Sequence, residues 1–282
     1  MKKMIGVFCL FASASFGQDG AERVTVPLSD ASRPPRIHMH LLNGAIVVQG
    51  GSDTKEVLVE VRPRSRGEGT GVPIPPVPPT PPVPPKAAGM HRLDFPGSAG
   101  LDVSEQDNVV NIKTSVFSRG SELFVTVPRN SSLDLKTVNG GNISAEQVDG
   151  EIDADVLNGR IMLKNVSGSV VAHALNGAIL VSLDRVDPMK PMSFSTLNGD
   201  IDVTLPDNVR ASVRMKTDNG EIYSDFDVKL DSGARTATSD SGHEHGSHHI
   251  RLDRVLHGTI NGGGPEYQFT SFNGQIFIRK KK

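Results

Sequence analysis

Apolar and polar residues alternate in short runs along much of this chain. Val57-Leu58-Val59-Glu60-Val61-Arg62 and Asn108-Val109-Val110-Asn111-Ile112-Lys113 read as strands whose side chains point to two faces in turn. The same alternation recurs through the second half, punctuated by one phrase: an apolar residue, Asn-Gly, any residue, then Ile. It appears at Leu42-Asn43-Gly44-Ala45-Ile46, Leu157-Asn158-Gly159-Arg160-Ile161, Leu175-Asn176-Gly177-Ala178-Ile179 and Leu197-Asn198-Gly199-Asp200-Ile201. Asp218-Asn219-Gly220-Glu221-Ile222 and Phe272-Asn273-Gly274-Gln275-Ile276 follow it too, and Val138-Asn139-Gly140 carries one extra residue before Ile143.

Spacing turns the phrase into an architecture. From Gly140 the next turns fall at Gly150, Gly159, Gly168 and Gly177, separated by 10, 9, 9 and 9 residues, so Asn-Gly turns alternate with weaker ones. Two short strands then make one repeat. The Asn-Gly turns are 19, 18, 22 and 21 residues apart from Gly140 to Gly220, a period near 20 that predicts an all-β parallel β-solenoid of about that many residues per coil. An antiparallel meander is the rival, because Asn-Gly is also a hairpin signal. The apolar register repeats by translation, however: Ile161 and Leu163 are followed 18 residues later by Ile179 and Val181. Asn139, Asn158, Asn176, Asn198, Asn219 and Asn273 are accordingly structural turn residues. Both members of Asn-Gly tolerate positive φ, and stacked Asn side chains can bond along a ladder.

Two stretches interrupt the pattern. Residues 67–90 contain the run from Val72 to Pro85, an extended polyproline II insertion. Residues 231–249 are polar and end in a His-rich sequence, a second exposed loop between coils. Together with residues 1–17, read below as a leader, this divides the chain into N-terminal strands over 18–66, the insertion over 67–90 and a solenoid region over 91–282. Both insertions are expected to be disordered.

Composition fits this picture. Hydrophobic residues make up 37% and aromatics 5%, with no Trp, two Tyr, 29 Gly and 19 Pro, a palette for many strands and turns filled by small side chains. Met1-Lys2-Lys3, the apolar run Met4 to Phe11 and the small-x-small site Ser15-Phe16-Gly17 have the order of a secretory signal peptide, cleaved near Gly17-Gln18. The protein would then be periplasmic or extracellular, with no later apolar run long enough to span a bilayer. Cys9 is the only cysteine and follows Phe8, where lipid attachment would want a small residue. The processed chain would hold no thiol, hence no disulfide and no Cys-ligated zinc. The formal net charge of −2 becomes −4 without Lys2 and Lys3, unlike the basic footprint of a nucleic-acid binder.

The repeated Leu-Asn-Gly-x-Ile phrase, the closing Ile260-Asn261-Gly262-Gly263-Gly264-Pro265 and the final Ser271-Phe272-Asn273-Gly274-Gln275-Ile276-Phe277-Ile278 resemble the bacterial adhesin-like domain family of unknown function. The resemblance covers roughly residues 36–62 and 108–280. It implies an exported or membrane-facing β-solenoid without established catalytic residues or cofactors, and the polyproline insertion and His-rich loop depart from the family pattern.

The chain contains no Gly-x-Ser-x-Gly, no Gly-x-x-x-x-Gly-Lys, no Gly-x-Gly-x-x-Gly and no His-Glu-x-x-His. His243, His245, His248 and His249 are dense enough to collect zinc, copper or nickel, although ordering a loop to do so costs entropy. Asp153, Asp155, Asp200, Asp202, Glu221 and Asp225 are outward acids that a polysaccharide-cleaving β-helix enzyme could use, but two Tyr and no Trp leave little on which to stack a sugar. Taking the phrase-ending Ile residues as inward, Met162, Leu180, Tyr223 and Phe277 should share an outward apolar column, broken by Asp202 in the coil after Gly199. The expected function is therefore a non-catalytic adhesin-like binding or scaffold protein of the cell envelope. An envelope-stress or signalling accessory that contacts a membrane regulator is the alternative. Either would take a protein or envelope surface component as partner, without a cofactor.

Overall fold

The computed structural model describes residues 13–16, 22–51, 55–63, 101–114, 121–231, 237–240, 249–252 and 255–282, and every regular element among them is a strand. In chain order they begin with β1 (Ser13–Phe16), β2 (Glu22–Pro27), β3 (Arg36–Gly51), β4 (Glu56–Pro63), β5 (Leu101–Gln106), β6 (Val109–Thr114) and β7 (Ser121–Pro128). Next come β8 (Ser132–Asn139), β9 (Ile143–Glu146), β10 (Asp149–Asn158), β11 (Ile161–Asn176), β12 (Ile179–Val186), β13 (Met192–Asn198) and β14 (Ile201–Leu205). The last are β15 (Ala211–Asn219), β16 (Ile222–Ser224), β17 (Lys229–Leu230), β18 (Ala237–Asp240), β19 (His249–Leu252), β20 (Val255–Ile260), β21 (Glu266–Asn273) and β22 (Ile276–Lys280).

Two parallel stacks make a solenoid-like coil. Strands leading into the Asn-Gly corner stack in the order β6, the first half of β3, β8, β10, the second half of β11, β13, β21 and β15. Strands leaving it stack as β7, the second half of β3, β9, the first half of β11, β12, β14, β22 and β16. The two inner faces meet in a core of small side chains. Ile46, Ile143, Ile161, Ile179, Ile201 and Ile276, phrase-ending residues, form one column with no exposed surface, and Ile222 of the last coil continues it half-buried. Each such burial contributes about 1.5–3 kcal/mol before conformational entropy is charged against it. On the opposite stack the Phe194 and Phe269 rings lie parallel with centroids 5.2 Å apart.

Antiparallel strands terminate the stacks. β5 pairs with β6, and β4 pairs with β7 and in turn with β2. At the other end β20 pairs with β15, and β17 with β20.

Three expectations change. The weaker turns differ from each other: a break with Gln147 at φ 59° separates β9 from β10 just before Gly150, whereas β11 runs through Gly168, and Asn165 (φ 51°) with Gly168 (φ 111°) bends it from one stack to the other. In and just beyond the loop predicted over 231–249, Ala237–Asp240 pair antiparallel with His249–Leu252 as a separate two-stranded sheet. Most importantly, the coils do not stack in sequence order. The final coil, β21 and β22, lies between the β13–β14 coil and the β15–β16 coil and pairs with both. The chain reaches that position by crossing the start of β15. Asn261, Gly262 and Gly263 take φ of 49°, 87° and 84°, a left-handed run that Asn and Gly tolerate. The Asn261 amide donates to the Asp207 and Val209 carbonyls, and Ser212 N–H donates to the Pro265 carbonyl. The polyproline insertion lies outside the described residues, as does the proposed leader except for Ser13–Phe16, which pair antiparallel with β2.

Tyr267, fully buried at the start of β21, leaves its hydroxyl without a hydrogen-bond partner among the described residues. Burial, with a smaller contribution from Asp187, pushes its phenol up to about 12. The stability tied to this group is therefore complete below pH 10 and is lost as pH rises from 10 toward 12, because the unfolded phenol ionises first. Tyr267→Phe removes that alkaline loss and, by deleting an unsatisfied hydroxyl, stabilises by about 1 kcal/mol at neutral pH; urea titrations of both chains between pH 7 and 12 measure this. A chain ending at Pro265 lacks the coil that joins β15 and β16 to the rest. Hydrogen exchange should then show β15, β16 and β20 unprotected while β8 to β12 keep their protection.

Candidate interaction surface

The Asn-Gly corner is built from backbone contact. A Cβ on Gly141 would run into the carbonyl oxygen of Gly44, and one on Gly159 into that of Gly141. The series continues upward through Gly177 on Gly159, Gly199 on Gly177, Gly274 on Gly199 and Gly220 on Gly274. Each coil thus sets its glycine directly on the carbonyl of the coil before it. Close stacking, rather than positive φ at the preceding asparagine, is what this corner demands: no corner Asn has positive φ.

Side chains reinforce the same contact. Thr137, Thr196, Ser271 and Thr217, two residues before their asparagines, donate to the carbonyls of Gly44, Gly177, Gly199 and Gly274 at 3.0–3.2 Å. From Asn158 onward the asparagines form a ladder in which the amides of Asn176, Asn198, Asn273 and Asn219 each donate to the side-chain oxygen of the coil before, at 2.7–3.0 Å. Asn139 sits in register with Asn43 at the foot of this series.

Two apolar columns flank the ladder. On the stack leaving the corner, Met162 pairs with Leu180, Leu180 with Asp202, Asp202 with Phe277 and Phe277 with Tyr223. The structure thus brings the four predicted residues into one column. Phe277 and Tyr223, however, are direct neighbours with rings stacked at 5.3 Å, and Asp202 stands below both of them. Met162, Leu180 and Phe277 are half-buried, Asp202 accepts from Arg279 Nε at 2.8 Å, and Tyr223 donates to Glu221. The N-terminal strands β2 and β4 extend the edge of this stack through their pairing with β7.

The second column stands at the first place of the phrase, where the repeat itself marks only a turn. The residue before each Asn-Gly points outward: Leu42, Leu157, Leu175, Leu197 and Phe272 are 40–44% exposed, and Val138 between Leu42 and Leu157 is half-buried. Their registers run in the order Leu42, Val138, Leu157, Leu175, Leu197, Phe272, giving a straight apolar rib. Parity contained the signal, because Val156 must point inward if Ile152 and Ala154 do.

Beyond the rib the same face is charged. His38 Nδ1 donates to Asp134 Oδ2 at 2.9 Å, with His40 Nε2 at 3.5 Å from the same oxygen. Lys136 Nζ lies 3.5 Å from both Asp134 and Asp155. Burial raises the Asp134 carboxyl, but the His38 hydrogen bond and the Lys136 charge outweigh it and hold it below the usual range. Asp153 is pushed up by burial and by Asp155, while the Asp134 charge raises Lys136. His173 Nδ1 lies 2.6 Å from Ser195 Oγ. A shallow cleft of about 260 Å³ opens beside this group, lined by Arg36, His38, Ser132, Asp134, Glu151 and Asp153. Long-range pairing of β3 with β8 assembles it, which no local pattern announces. Among the described residues, no three His, Asp or Glu side chains converge as a metal-binding group. His243, His245 and His248 lie outside the described residues, and His249 opens β19.

A family model described as Toastrack DUF4097 matches residues 150–261, the stretch from β10 to the crossing turn. Among solved structures, the chain is similar to one described as a "putative cell adhesion protein" from Clostridium sporogenes, at 8% identity and a TM-score of 0.42, covering 93% of this chain and 100% of that one. No curated protein matches.

The corner makes its own prediction. Gly177→Ala places a methyl against the Gly159 carbonyl and should destabilise by about 1–3 kcal/mol, as overpacking a close-packed site does. Ala178→Gly, one residue beyond, lacks that clash, and denaturant midpoints of the two variants compare them directly.

Proposed function

We propose that this protein is an exported, non-catalytic, adhesin-like binding or scaffold module of the bacterial cell envelope, freed from a leader after Gly17. The observation that carries the reading is the rib from Leu42 to Phe272, a row of outward apolar side chains that the coil holds in line at strand spacing. An apolar row this regular on an otherwise polar face marks a contact surface. The match to a domain of unknown function over residues 150–261 fits the reading and names no activity. The column of Met162, Leu180, Phe277 and Tyr223, across the Asn ladder from the rib, is the secondary contact. Its partner is a protein or surface component of the envelope, met without a cofactor.

A pull-down from native envelopes with residues 18–282 as bait tests this. Leu157→Ser with Leu175→Ser should abolish capture while leaving the fold intact, since both side chains point outward. Leu180→Ser with Tyr223→Ser should weaken it. Retention no greater than that of a scrambled control, or unchanged by the rib substitutions, argues against the reading. Mass spectrometry of the protein recovered from cells should place its N-terminus at Gln18.

A further inference from the structure

The rib has a strict repeat, and the repeat selects its occupant. Neighbouring strands lie about 4.8 Å apart, so six rib positions span about 24 Å in equal steps. A helix, at about 5.4 Å per turn, falls out of step by about 3 Å over five steps. An extended strand repeats on one face every ~6.7 Å and departs faster. A second stack of β-coils stays in step along the whole rib, and this chain supplies one.

We propose that the rib is a self-association surface, on which a second copy of the chain packs its own rib antiparallel about a two-fold axis. This rests on the reading of the rib as a docking surface. With the axis running along the strand direction, midway between the levels of Leu157 and Leu175, Leu157 meets Leu175 of the other copy. Val138 then meets Leu197, and Leu42 meets Phe272. The small residue falls opposite a large one, and all six positions are matched. Such an axis preserves strand direction, so the next outward column, His40, Lys136, Asp155, His173, Ser195 and Thr270, faces the same column in the other copy. Asp155 falls opposite His173, Lys136 opposite Ser195 and His40 opposite Thr270. No like charges meet over these six coils. Lys113 and Lys216, in the coils just beyond, would be the first to do so, which confines the contact to the rib. One rib with its flanking column is smaller than the roughly 1,600 Å² of a standard interface, so the dimer is a weak one that forms only as the concentration rises through the micromolar range or above.

Sedimentation equilibrium of residues 18–282 from low micromolar to several hundred micromolar tests this. The unaltered chain should show a monomer–dimer equilibrium. Leu157→Asp and Leu175→Lys should each weaken it at least tenfold. The two together should restore it, because an antiparallel contact sets Asp against Lys of the other copy twice over. A contact with the ribs parallel would instead set each charge against itself and make the double variant worst. An unaltered chain that stays monomeric, single variants that associate as the unaltered chain does, or a double variant no better than the singles overturns the proposal. If the unaltered chain is monomeric but Leu157→Asp still abolishes envelope capture, the docking surface stands and self-association alone is lost.

Discussion

Every feature of the surface depends on how closely one coil approaches the next at the Asn-Gly corner. A glycine seated on a glycine carbonyl, from Gly141 on Gly44 up to Gly220 on Gly274, fixes where each coil lies on the one before. Side chains in a strand alternate with a period of two, so a slip of one residue would turn every inward Ile outward. The hydroxyls of Thr137, Thr196, Ser271 and Thr217 and the asparagine amides all donate in the same direction, to the preceding coil. Glycine contact, hydroxyl bond and amide ladder therefore select one register among them. An error in one is opposed by the other two.

That register converts a phrase in the sequence into lines on the molecule. Whatever residue type occupies a fixed place in the phrase becomes a column along the coil axis. Ile at the last place builds the core column from Ile46 to Ile276, and the apolar residue at the first place builds the rib from Leu42 to Phe272. The two columns cannot exchange roles, because the corner formed by the Asn-Gly and the residue after it places one before the turn and outward, the other after it and inward. A sequence selected only to fill the interior would have no need of leucine at the first place, where Asp218 shows that a charged residue is accommodated.

The alternation around Val57 to Arg62, the Asn-Gly spacing and the translated register of Ile161 and Ile179 made the parallel coil legible from local information. Each depends on residues fewer than about twenty apart. Coil order did not follow from such information. Asn198 bonds Asn273, 75 residues away, rather than Asn219, and since Asn219 and Asn273 stand in the same phrase, the pattern offers either as neighbour. What decides is the crossing at Asn261 to Pro265, where left-handed residues carry the chain over the start of β15. The cluster of His38, His40 and Asp134 was hidden for the same reason, since it joins strands 96 residues apart in sequence. The rib was within reach of parity, since the residue before each Asn-Gly follows an inward position in its strand.

The ends of the stacks bear on where a partner can bind. A parallel coil invites addition of further coils, because its last strands present unpaired backbone. Here β5 lies antiparallel on β6, β4 and β2 continue the neighbouring stack, and β20 and β17 reverse direction beyond β15. The remaining terminus, β16, has only three residues. A reversed strand does not continue the glycine corner, so the features that hold one coil on the next stop there. Growth along the axis is thus disfavoured by the same contact that makes the coil stable, and the regular surface left for a partner is lateral. On that side the molecule sets its exposed leucines in a row.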